Sequence, residues 1–139
     1  MLSFAYTLLE TDVTAALCAV GLDPYVGFLH KDKPGRHSLS LDLLEELRAP
    51  LADRFVITLI NTRKIESSGF LKKENGAVIM RDDVRRDFLT AWHNRKNEKL
   101  THPFIKEKIE WGLVAHVQAL LLARTLRGDL EEYPPFLWK

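Results

Sequence analysis

Apolar residues recur every three or four positions along most of this chain, the spacing of one buried helical face. Leu2, Tyr6, Leu9, Val13, Leu17 and Val20 predict a first helix over 2–20, with Gly21 as its stop. Residues 22–37 hold two prolines and two glycines and read as a loop. Ser38 is a candidate N-cap for a short helix rich in leucine (Leu41, Leu43, Leu44, Leu47), and Pro50 should end or bend that helix near Arg48. A further helix runs to about Lys64 on the stripe Leu51, Phe55, Leu59 and Ile60. The pattern then changes. Over 69–80, Asn75-Gly76 separates two short apolar runs, the signal of a β-hairpin. Helical spacing returns from Arg81 to about Asn97 through Val84, Phe88 and Trp92. Thr101-His102-Pro103 reads as the start of a last helix ending near Arg127, with Gly128 as its stop. The expected fold is mainly α, a helical domain with one short β-hairpin.

The 139 residues suffice for one domain with a real core, and 46% hydrophobic with 28% charged residues is ordinary for a globular chain. A net charge of +1 means that any nucleic-acid surface must be local. The single cysteine, Cys18, excludes an intrachain disulfide, and a buried free thiol on the first helix would suit a reducing cytoplasm. No secretory signal pattern opens the chain, and no apolar run reaches the ~20 residues of a membrane span. A Gly-rich phosphate loop, Cys-x-x-Cys and Gly-x-Ser-x-Gly are all missing.

The candidate chemistry lies in 21–48. His30 sits in the Pro/Gly-punctuated loop, and Asp42 and Glu45, three apart, share a helical face. A lone loop histidine is ordinarily structural or solvated, and Asp42 and Glu45 could be ordinary acids near a helix start. The leucines around them, however, imply a partly buried helix, where carboxylates need cations or hydrogen bonds. Glu46 reads as no more than an ordinary helix acid. Lys31, Lys33 and Arg36 adjoin His30, and positive charge gathers again at Arg81, Arg85, Arg86, Arg95 and Lys96. Singly these clusters are weak signals of DNA contact. His37, His93, His102 and His116 carry no ligand assignment, and Tyr6, Trp92, Trp111 and Trp138 read as core.

The chain resembles the CRISPR-associated integrase, the larger subunit of the spacer-acquisition complex. The resemblance spans nearly all of it: Leu2-Ser3-Phe4-Ala5-Tyr6-Thr7-Leu8-Leu9, Gly21-Leu22-Asp23-Pro24-Tyr25, Gly27-Phe28-Leu29-His30, Pro34-Gly35-Arg36, Leu41-Asp42-Leu43-Leu44-Glu45-Glu46, Leu59-Ile60-Asn61, Leu121-Leu122-Ala123-Arg124 and Pro135-Phe136-Leu137-Trp138. It implies a metal-dependent DNA endonuclease and integrase in which the 3′-hydroxyl of incoming foreign DNA attacks a phosphodiester of the CRISPR repeat. It also implies His30 and Glu45 as ligands of Mn²⁺ or Mg²⁺, with Asp42 supporting them. Lys31, Lys33, Arg36, Arg85, Arg95 and Lys96 become DNA-contact candidates. The implied partners are DNA, a second copy of the chain in a homodimer, and the small dimeric adaptation subunit.

The family also has an N-terminal β domain, and a metal-binding glutamate on its first helices. Neither is visible, so residues 1–139 read as the C-terminal part of the catalytic helical domain, one ligand short. That leaves an alternative: a non-catalytic helical lobe that binds DNA or the partner subunit. It also predicts that the first helix, missing its neighbours, exposes its apolar stripe and drives self-association.

Overall fold

A computed structural model describes residues 1–24, 38–65, 69–76 and 78–137. Among them are five α-helices: α1 (Leu2–Ala19), α2 (Ser38–Leu47), α3 (Arg54–Asn61), α4 (Asp82–Asn97) and α5 (Trp111–Leu126). Between α2 and α3 the chain widens into a π-helical stretch, Arg48–Asp53. Pro50 lies inside it. Proline has no N–H to donate and its ring crowds the preceding turn, so the regular ladder gives way there, as the sequence predicted.

Two antiparallel hairpins complete the set. β1 (Phe70–Lys72) pairs with β2 (Val78–Met80), with Leu71 opposite Ile79. Gly76 sits in its turn at φ +86°, a conformation that only glycine adopts freely. The second hairpin corrects the expected last helix. β3 (Lys99–Thr101) pairs with β4 (Lys108–Glu110), and α5 begins only at Trp111. The chain does capture backbone donors after Thr101, but in a turn. His102 Nδ1 accepts the N–H groups of Phe104 and Ile105 at 3.1 and 3.2 Å, and Lys106 reverses the chain at φ +60°.

α1 packs on α2, on the π-helical stretch and on α5, while α4 packs on α5. The α1 residues Ala5, Leu9, Val13, Ala16 and Leu17 are buried within the chain. The stripe expected to lie exposed is therefore largely covered by the chain's own α2 and α5. Cys18, one position round from Leu17, is exposed rather than buried. Phe88 anchors an aromatic cluster, 5.0 Å from Phe4 and 5.2 Å edge-on from Phe55, which meets Trp92 at 5.1 Å. Trp92 and Trp111 are core, as predicted, whereas Ile60 turns out to solvent. α5 meets the end of α4 at Gly112, where a Cβ would lie 3.2 Å from Lys96 Cβ and 3.3 Å from its carbonyl oxygen. No helix among the described residues is long and apolar enough to cross a membrane.

Candidate functional site

Helix α2 sorts its residues by face. Leu39, Leu43, Leu44 and Leu47 are buried and fix its orientation against the core. Asp42, Glu45 and Glu46 then line one cleft of about 550 Å³. Its remaining walls are mostly apolar: Leu39 and Leu43 of α2, Leu122, Thr125 and Leu126 of α5, and Tyr133 and Pro135 of the irregular C-terminal tail. The structure thus brings together the two sequence-predicted carboxylates.

The two differ in setting. Asp42 is only 7% exposed. The Glu45 side chain is 46% exposed, and Arg48 donates from Nη1 to its two oxygens at 3.0 and 3.3 Å. The Arg48 guanidinium lies over the Tyr6 ring, 4.7 Å from its centroid, and the Tyr6 hydroxyl hydrogen-bonds Asp53. A chain of polar contacts therefore runs from α1 through the π-helical stretch to Glu45.

Glu46 does more than the sequence suggested. Its Oε1 accepts the Phe136 N–H at 2.7 Å, and the Tyr133 hydroxyl donates to its carboxylate at 2.8–2.9 Å. Gln118 Nε2 donates to the Tyr133 hydroxyl at 2.8 Å and to the Pro134 carbonyl at 3.1 Å, with a longer contact of 3.4 Å to Glu46. The Gln118 carbonyl oxygen meets His102 Nε2 at 2.6 Å. Because His102 Nδ1 already accepts two backbone N–H groups, its proton is assigned to Nε2 and the ring is neutral. Burial pushes the Glu46 carboxyl above its ordinary range, against the opposing pull of the Phe136, Tyr133 and Gln118 donors. Burial, and then the Glu46 charge, raise the Tyr133 phenol, so it stays a donor. The available sign of this network was Gln118, a polar residue on the otherwise apolar face of α5 formed by Trp111, Val114, Ala115, Ala119 and Leu122.

His30, Lys31, Lys33 and Arg36 lie outside the described residues. Arg85 is exposed on α4. Arg95 and Lys96 are engaged within the chain: Arg95 pairs with Glu98 at 2.6 Å and stacks over Trp111, and Lys96 reaches Asp12 at 3.1 Å. Among the described residues no three His, Cys, Asp or Glu side chains form a metal-binding group. Asp42 and Glu45 nevertheless offer oxygen donors of the kind Mn²⁺ and Mg²⁺ take, at the lining of one cleft.

The family model for CRISPR associated protein Cas1 matches residues 1–94, and the chain belongs to that family. A CRISPR-associated endonuclease Cas1 of Chlorobaculum tepidum is 52% identical over all 139 residues, and the chain spans 40% of that protein's length. Among solved structures, a casposase bound to integration product superposes with a TM-score of 0.88 at 31% identity, over 99% of this chain and 38% of that one. A CAS1 protein from Thermotoga maritima gives a TM-score of 0.82 at 26% identity, over 92% of this chain and 39% of that one.

Proposed function

We propose that this chain is the C-terminal part of the catalytic helical domain of a metal-dependent DNA endonuclease and integrase of CRISPR adaptation. The carrying observation is that Asp42 and Glu45 line the same cleft of α2. The likeness to a casposase bound to integration product supports DNA as the substrate.

In this reading Glu45 and His30 hold the cation and Asp42 supports them. Held there, Mn²⁺ or Mg²⁺ would supply Lewis acidity toward a phosphoryl oxygen. The reaction is a transesterification. A 3′-oxygen forms a new bond to phosphorus, the repeat's own P–O bond breaks, and the proton lost by the attacking hydroxyl is balanced by one taken up by the leaving oxygen. Arg48 pairs with the Glu45 carboxylate, and a cation held by Glu45 would have to share it with that guanidinium. Arg85, exposed on α4, and the cations Lys31, Lys33 and Arg36 suit contacts to the phosphate backbone. Arg95 and Lys96 would first have to leave Glu98 and Asp12. The partners are DNA, a second copy in a homodimer, and the small dimeric adaptation subunit.

A second reading rests on the Arg48–Glu45 pair itself. With Glu45 already held by a guanidinium, the domain can serve as a helical lobe that binds DNA or the partner subunit without cutting. Mn²⁺-dependent cleavage of branched DNA by the natural gene product that carries this sequence separates the two. Cleavage lost in His30→Ala and in Glu45→Ala supports the nuclease, and no cleavage by the parent supports the lobe.

A further inference from the structure

The tail after α5 has no ladder of its own, since Asp129–Leu137 is irregular. Backbone without a ladder must find partners elsewhere or stay loose. Here two side chains supply them. Glu46 takes the Tyr133 hydroxyl and the Phe136 N–H, and Gln118 takes the Pro134 carbonyl and the Tyr133 hydroxyl. The Phe136 ring is then 3% exposed, 5.5 Å from His102 and 6.0 Å from Trp111. Tyr133 and Pro135, on either side of Pro134, line the cleft that Asp42 and Glu45 also line.

A carboxylate is a costly choice for this task. Burial penalises its charge, and glutamine could accept the same backbone N–H without that penalty. Glu46, however, follows Glu45 directly, so the bonds that hold Glu46 add to the buried leucines in setting the rotation of α2 that places Glu45 and Asp42.

We infer that Glu46 is a positioning residue: through Tyr133 and Phe136 it latches the C-terminal tail to α2, and so fixes both the tail wall of the cleft and the place of Glu45, the proposed cation ligand, with Asp42 beside it. This rests on the metal reading given under Proposed function. Supporting groups around a metal site typically change affinity by about 10–100-fold when lost. By linkage, the coupling is reciprocal: cation binding tightens the tail as the latched tail tightens cation binding.

The test uses the natural gene product with Mn²⁺ as the probe and two readouts, Mn²⁺ affinity by titration and hydrogen exchange of the Phe136 amide. Glu46→Ala should weaken Mn²⁺ binding about tenfold and strip protection from Phe136. Glu46→Gln keeps an acceptor for Phe136 N–H, with Tyr133 able to rotate and accept from its amide. It should retain protection and stay within about threefold of the parent in affinity. Glu45→Ala should lose Mn²⁺ affinity while Phe136 stays protected. If Glu46→Ala fails to fold, Tyr133→Phe removes the phenolic bonds without opening a cavity and should still weaken Mn²⁺ binding by roughly threefold. Parental affinity in Glu46→Ala, or in Tyr133→Phe where that stands in, beside a loss in Glu45→Ala overturns the latch and leaves the metal reading standing. A Glu46→Gln as weak as Glu46→Ala also overturns it, since the charge would then matter and not the hydrogen bonds. Parental affinity in Glu45→Ala overturns the metal reading, and the inference with it.

Discussion

Glu45 and Glu46 are neighbours whose settings diverge. Glu45 turns to an exposed pairing with Arg48, and Glu46 to a buried set of neutral donors. The proposed function gives them different duties at the cleft, ligation for the first and support for the second. Asp42, 7% exposed on the same helix, is more buried than either. Replacing Glu45 by alanine should abolish Mn²⁺-dependent cleavage by the natural gene product, because it removes a ligand. Asp42→Ala should reduce the rate by roughly 10–100-fold and leave measurable turnover. Single-turnover cleavage assays on the two variants compare them directly, and an Asp42→Ala loss equal to that of Glu45→Ala would make Asp42 a ligand too. That Asp42 and Glu45 share one side of α2 was legible in the sequence, because three-residue spacing on a helix is a local fact. The role of Glu46 was not. Its partners lie 72 to 90 positions away, and no local pattern announces a donor from the far end of the chain.

At the scale of elements, periodicity located α1, α2, α4 and the Asn75-Gly76 hairpin. Each of these carries its signal within its own length: a 3.6-residue stripe, a stop, or a turn pair. The second hairpin did not. Its strands are three residues each, too short to show alternation, and its turn is built by an unexpected group, the His102 imidazole. His102 is 1% exposed and joins the hairpin turn to Gln118 of α5. His102→Ala would leave the Phe104 and Ile105 N–H groups without that acceptor and the Gln118 oxygen without that donor. A buried group left unpaired, as the Gln118 oxygen would be, costs about 1–3 kcal/mol. Thermal unfolding should therefore fall by several degrees, with the hairpin amides losing exchange protection first. An unchanged melting temperature would show that the turn holds without the imidazole.

For the molecule as a whole, the decisive fact is where the α1 stripe goes. Leu9, Val13 and Leu17 are at most 1% exposed, covered by the chain itself. Their hydrophobicity therefore builds this domain's core instead of advertising a missing neighbour, a distinction that a hydrophobic stripe alone does not encode. Leu9→Ala should cost about 2–5 kcal/mol of stability, read by denaturant unfolding, and leave the oligomeric state of the folded protein unchanged by light scattering. A variant that dissociates an oligomer without losing stability would place Leu9 at an interface. Family membership is shown over the first two thirds of the chain, and the resemblance in fold extends across nearly all of it. What joins these scales is the claim that α2 carries a cation-dependent DNA-processing site. The most direct measurement is cleavage of branched DNA by the natural gene product at fixed Mn²⁺, with and without a chelator, for the parent and for Glu45→Ala. A cation-dependent site on α2 gives cleavage that vanishes with the chelator and is absent in Glu45→Ala, whereas undiminished cleavage by Glu45→Ala in Mn²⁺ would rule that site out.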